Sequence, residues 1–253
     1  MPFGSGCADA RLAPLVNESP ARATMAKLIL AFLACRIPTY ASFLFEDVNN
    51  AIMIYLNDNL LFAEGGRRFC FVHPEDPSKC IKTLSPNGDP RKRKKEAVWY
   101  KKLRPLSMFD DNLRELKSFR DLERHGEAVW DHFPRCYGIQ QTDRGPGIVT
   151  DLIRDAEGQI SRTVRQYVKA EGKTPELLEA LSEFLEFLKE HRVVTRDILD
   201  HNLVVAQRSD KLTIYLIDGF GSSDFLPLPK KLSKKIERKS KRFAKRYGFP
   251  DIG

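Results

Sequence analysis

The chain has 253 residues, 42% hydrophobic and 30% charged, which suits one large domain or two lobes around a sizeable core and excludes a disordered or membrane-embedded protein. Its formal charge of +8 is uneven: residues 91–104 hold eight Lys/Arg against one Glu and residues 230–246 hold ten against one, which leaves the remainder acidic, at about −8. Five cysteines (Cys7, Cys35, Cys70, Cys80 and Cys136), odd in number and without C-x-x-C spacing, argue against a disulfide framework or a structural zinc and for a reducing compartment.

Near the amino terminus, "MAKLILAFLACR" (Met25 to Arg36) has the look of a signal peptide, but Arg36 and Pro38 stop it well short of a membrane span. It follows 24 residues that make no sensible leader. Met53 opens directly into strand pattern, so residues 1–52 read as a misassigned start or a dispensable extension rather than an export signal. "NLLFAEGGRRFCFVHP" then reads as strand, a turn at Gly65-Gly66, and strand. "KCIKTL", Lys79 to Leu84, is a third strand ended by turn residues. In the basic segment that follows, Val98, Trp99 and Tyr100 are placed to anchor an otherwise exposed loop or helix. "FDDNLRELKSFRDLERHG" has the marks of a helix: Asp110 or Asp111 as cap, apolar repeats at Leu113, Leu116, Phe119 and Leu122, and Gly126 as stop. Glu115 shares the face of Phe119 and Leu122, and a carboxylate there needs a partner.

"FPRCYGIQQT" and "GPGIVTDLI" make two more strands about the turn at Gly145 to Gly147. Beyond Ile153 the texture becomes helical. "TPELLEALSEFLEFLKEH" is the best helix of the chain, with Thr174 as N-cap and Pro175 at the first helical position. Leu177, Leu181, Phe184, Leu185 and Leu188 form its apolar stripe. Strands "NLVVA" and "KLTIYLID" follow, joined by a polar turn at Gln207 to Asp210, and a basic helix runs from about Leu232 to Tyr247. The order predicts a two-lobed α+β protein: residues 53–153 a β-sheet with one helix, residues 154–253 mostly helix with one hairpin.

The chemistry lies between the last elements. Asp197 sits five residues before Asn202, and Asp218 ends the second strand of the hairpin. That is the arrangement of a phosphoryl-transfer site, which must neutralise phosphate charge and position an acceptor. The oxygens of Asn202 and Asp218 suit Mg²⁺, and Asp197 suits the acceptor hydroxyl's proton. Upstream, Lys82 on its strand suits the phosphates of ATP, Glu115 suits an ion pair with Lys82, and Gly65-Gly66 lets backbone amides approach the nucleotide. Each part alone is weak: Asp-x-x-x-x-Asn is commonly a loop with a helix cap, a strand lysine is commonly solvated, and Glu115 has Lys117 and Arg120 as rival partners. The order of the parts carries the reading.

The stretches "CFVHPEDPSKCIKTL", "RELKSF", "FPRCYGIQQTDRGPGIVTDLI", "HRVVT" and "NLVV" resemble the PhoP regulatory network protein YrbL family, within the protein-kinase-like superfamily, from Met53 to about Phe249. The resemblance implies a cytoplasmic bacterial protein of kinase-like fold whose relatives begin near Met53, and it brings no established substrate. Departures from typical kinases are Thr195 in the place of a histidine, the order Asp218-Gly219-Phe220-Gly221, and only two glycines in the phosphate-covering turn. Only 32 residues follow Gly221, too few for the helices that dock peptides. The expectation is therefore a kinase-like fold with a truncated C-lobe, and a small-molecule or glycolipid acceptor, such as a lipid-linked sugar, rather than a protein. Two alternatives stand beside it. One is a pseudokinase scaffold of the YrbL type. The other is a nucleic-acid or anionic-surface binder acting through residues 91–104 and 230–246, with affinity falling steeply with salt.

Overall fold

The computed structural model describes residues 53–193, 195, 198–209, 211–220 and 229–248, with the backbone alone for 229–236. The expectations for residues 1–52, Asp197 and Gly221 lie outside the described residues.

Strands β1 (Leu61–Glu64), β2 (Arg68–Val72), β3 (Lys79–Leu84), β4 (Cys136–Gln140) and β5 (Gly147–Asp151) form one antiparallel sheet in the order β1-β2-β3-β5-β4. Side chains alternate across its faces. Phe71, Ile81 and Val149 lie in register and pack with Ile54 and Leu56 as a small core on one face. The neighbouring row, Cys70, Lys82 and Ile148, must point to the opposite face, where Ile148 joins Phe119 in the main core. A Cβ on Gly147 would stand 2.4 Å from Ile81 Cγ2, so only glycine lets β5 start this close to β3.

Helices α1 (Pro90–Glu96) and α2 (Trp99–Lys102) occupy the basic segment. Their expected anchors do not anchor: Val98, Trp99 and Tyr100 are 50%, 77% and 53% exposed. The segment is held instead by Arg93, which donates to the Phe109 carbonyl and pairs with Asp111 at 3.0 Å. Helix α3 (Asp111–Glu123) is capped by Asp110, whose Oδ1 accepts from the backbone N–H groups of Asn112 and Leu113. Asp111, the other candidate cap, serves Arg93 and Arg114. Asn112 Nδ2 donates to the carbonyls of Lys82 (2.9 Å) and Pro146 (3.2 Å), tying the helix to the sheet.

Strand β6 (Arg162–Thr163) leads into α4 (Val164–Glu171), followed by α5 (Pro175–Glu190), β7 (Leu203–Arg208), β8 (Lys211–Leu216) and α6 (Pro229–Tyr247). A capping box between Thr163 and Gln166 starts α4; this pair was legible in the sequence but belongs to a helix the periodicity did not flag. Thr174 caps α5 by accepting from Leu177 N–H, with Pro175 in the first turn. The α5 stripe is wholly buried, against the β6-β7-β8 sheet and against Phe243 and Tyr247 of α6. Each such Leu or Phe contributes about 1.5–3 kcal/mol of burial. Phe220 stacks edge-on against Phe119 of α3 and Phe133, so one core runs from under the five-stranded sheet into the helical region. The architecture is an α+β fold, a five-stranded antiparallel sheet carrying one long helix followed by helices around a three-stranded sheet.

Candidate functional site

A cavity of about 900 Å³ opens between the five-stranded sheet and the β7–β8 hairpin, within the range of small-molecule sites. Gly65, Gly66, Lys82, Asn202 and Asp218 all line it.

Lys82 is 6% exposed and Glu115 1%. Their Nζ and Oε1 atoms are 2.8 Å apart, and Lys82 Nζ also donates to the Ile217 carbonyl at 3.0 Å. Burial works most strongly against the ammonium charge, but Glu115 together with Cys80 and Asp218 outweighs it and holds the Lys82 pKa above its usual value. Neither Lys117 nor Arg120 takes the Glu115 carboxylate; its second oxygen goes to Arg68.

Arg68 is the residue that sequence reasoning missed. From the start of β2 its guanidinium donates through one nitrogen to Glu115 Oε2 and through another to Asp218 Oδ2, the latter at 2.5 Å. Burial again opposes the charge, while Glu115 and Asp218 raise the pKa further. Two cations and two carboxylates thus meet in one cluster that joins β2, β3, α3 and the residues just after β8. The available signal was a basic residue two positions after Gly66, at the start of a strand and on the same face as Lys82.

Asp218 Oδ1 accepts from Gly219 N–H at 2.6 Å. Gly219 has φ +81°, a left-handed conformation that suits glycine, and Phe220 then packs against Phe119 of α3. Thr195 bridges to Phe220 and its carbonyl accepts from Lys239 Nζ at 3.0 Å. The chain at Thr195 is thus held by backbone pairing and by α6. Asn202 is fixed through its main chain: its N–H donates to the Leu199 carbonyl and its carbonyl accepts from Ile217 N–H, both at 2.9 Å. Two residues earlier, Asp200 is a buried clamp on Arg165 of α4 and Arg246 of α6. Desolvation opposes its charge, and those arginines outweigh it and hold its carboxyl below the ordinary range.

In the glycine turn, Gly65 N–H donates to the Arg68 carbonyl at 2.8 Å. A Cβ on Gly66 would meet no atom within 4 Å, so the fold itself does not demand glycine there. Cys70 and Cys80 also line the cavity, and burial pushes the Cys70 thiol up to about 11, which keeps it protonated and inert. Among the described residues no cluster of three or more His, Cys, Asp or Glu is arranged to hold a metal. Asp218 and Asn202 supply two hard oxygens, a number that fits Mg²⁺ when a substrate's phosphates complete the shell. No helix among the described residues is long and apolar enough to cross a membrane.

The chain is 29% identical to protein YrbL of Escherichia coli (strain K12) over 180 residues, which covers 70% of this chain and 77% of that one. It matches protein YrbL of Shigella flexneri to the same extent. Among solved structures it is similar to the kinase domain of Mycobacterium tuberculosis PknI, a cysteine-to-alanine mutant, with a TM-score of 0.41 at 18% identity over 76% of this chain and 74% of that one. The family model for PhoP regulatory network protein YrbL matches residues 54–248, and the chain belongs to that family.

Proposed function

We propose that the cavity binds ATP with Mg²⁺ and that the protein transfers phosphate to a small molecule or a lipid-linked sugar. The observation that carries this is the buried Lys82–Glu115 pair at 2.8 Å, held at the wall of a cavity that Asp218 and Asn202 also line. A fully buried lysine is costly to keep charged, and a neutral pair of apolar residues would stabilise the fold as well. In this reading Lys82 holds the phosphates, Glu115 positions Lys82, and the Gly65-Gly66 turn covers the phosphates with backbone amides. Asn202 and Asp218 hold the metal, which would supply charge neutralisation at the transferring group. Asp197 accepts the acceptor hydroxyl's proton. Arg68 neutralises Asp218 and Glu115 when no nucleotide is bound and turns to the phosphates when one is.

The second reading is a pseudokinase scaffold, and Arg68 is what favours it: a resident cation already serves the carboxylate that a metal needs. The test is thermal unfolding of the full chain with ATP, with and without Mg²⁺, beside Asp218→Ala. Ligand at 100 times its dissociation constant stabilises by about 2.7 kcal/mol, roughly 5–10 °C for a domain of this size. A Mg²⁺-dependent shift lost in Asp218→Ala supports the nucleotide site, and no shift overturns it. Turnover that disappears in Asp197→Ala then separates the enzyme from the scaffold.

A further inference from the structure

We propose that residues 91–106 form a docking surface for an anionic lipid bilayer, with Trp99 and Leu103 entering the interface and the surrounding lysines and arginines meeting the headgroup phosphates. Every residue from Val98 to Leu106 is exposed. Trp99 at 77% and Leu103 at 82% are the extreme cases, with Val98, Tyr100 and Leu106 beside them. Large apolar side chains concentrated in one short stretch mark an interaction site. Arg91, Lys92, Lys95, Lys101, Lys102 and Arg104 are exposed around them, and among the described residues none of these six pairs with a carboxylate. Glu96 is the one acid in the segment.

The second basic segment shows why this one stands apart. Along α6, Phe243, Ala244 and Tyr247 are buried, with Phe243 and Tyr247 in the main core. Over its described side chains, residues 237–248, the apolar side of that helix is consumed by the fold, and among its exposed cations Lys241 pairs with Glu237 while Arg242 and Lys245 face solvent. The 91–106 segment has cations and an unspent apolar face together.

That pairing selects the partner. Tryptophan and tyrosine favour the membrane interface, where one edge is apolar and the other wet. Lysine stems lie along apolar surface while their ammonium groups reach phosphate, and an anionic leaflet attracts each basic residue. A nucleic acid would use the same charges but has no use for Val98, Leu103 and Leu106. Trp99 and Tyr100 stand perpendicular to each other, at 89° with centroids 6.0 Å apart, so they offer no parallel platform for successive bases. Helix α2 has four residues, which limits the contact to the interfacial plane.

The experiment is co-sedimentation of the full chain, without nucleotide, with vesicles of phosphatidylcholine alone or mixed with phosphatidylglycerol. Because no nucleotide is present, its outcome is independent of the kinase-like reading. Expected is binding to the mixed vesicles and little to phosphatidylcholine alone. Lys101→Gln and Lys102→Gln each lower partitioning about five-fold, the equivalent of ~1 kcal/mol per basic residue. The double variant Trp99→Ala/Leu103→Ala loses most of the binding while its Tm stays at the wild-type value, because both side chains are exposed. Absence of binding, equal binding to both vesicle types, or binding that survives the double variant overturns the proposal. So does tighter binding to single-stranded RNA, at equal phosphate concentration, that the same variants abolish.

Discussion

Replacing Arg68 by glutamine tests the charge cluster directly. The Arg68 side chain is 13% exposed and bridges Glu115, 1% exposed, and Asp218, 39% exposed. Arg68→Gln removes one positive charge from a cluster in which Glu115 is buried and Asp218 loses its guanidinium contact. Removing one partner of a buried pair costs about 3–5 kcal/mol. Glu115 keeps Lys82 and Asp218 keeps part of its water, so the lower end applies, ~3 kcal/mol, which lowers Tm by roughly 6–12 °C. Measured in EDTA by urea and thermal unfolding, a cycle with Asp218→Asn should give a coupling of about 1–3 kcal/mol. Mg²⁺ without nucleotide should then act differently on the two proteins. In the wild type the guanidinium defends Asp218 and the ion does little. In Arg68→Gln a site with a Kd of ~1 mM recovers about 1.4 kcal/mol at ~10 mM Mg²⁺. A Tm unchanged by Arg68→Gln, a coupling near zero, or the same Mg²⁺ response in both proteins would refute the reasoning.

Two further outcomes follow from the geometry. Gly66→Ala should leave stability unchanged or raise it by up to about 1 kcal/mol, because a Cβ there meets no atom, while the Tm shift produced by ATP shrinks. Lost stability, or an intact ATP shift, would show that the fold rather than a ligand needs this glycine. His132 packs between Phe184 and Phe187 with its Nδ1 2.8 Å from the Ile214 carbonyl, and burial lowers its pKa. The folded state therefore binds this proton less readily than the unfolded chain. Its contribution is complete above about pH 6.5 and is lost as pH falls from there through the lower folded pKa. Urea unfolding at about pH 7.5 and 5.5 should show a larger loss on acidification for the wild type than for His132→Gln; equal losses would disprove the assignment.

The local elements were legible because their signals are local. The Thr174-Pro175 start and the five-residue apolar stripe specify α5 whatever it packs on, and the "KCIKTL" alternation puts Lys82 opposite Ile81 before any partner is known. Helical spacing likewise assigned Glu115 to the buried face of α3. What the sequence left open was pairing across the chain. Lys82 and Glu115 are 33 residues apart and Arg68 and Asp218 are 150 apart, and no periodicity links such positions. Lys117 and Arg120 were equally good partners on composition. Only sheet register and the seating of α3, pinned by Asn112 on the Lys82 carbonyl, decide that Lys82 and Arg68 share the carboxylate.

The same division holds for the two basic segments. The sequence by itself determined their charge and placed apolar residues among the cations of both, and in that respect they look alike. The tertiary structure buries Phe243 and Tyr247 against α5 and leaves Trp99 and Leu103 in water. Burial is a property of what a face meets, and a chain written in one dimension does not state which of its faces will find one another.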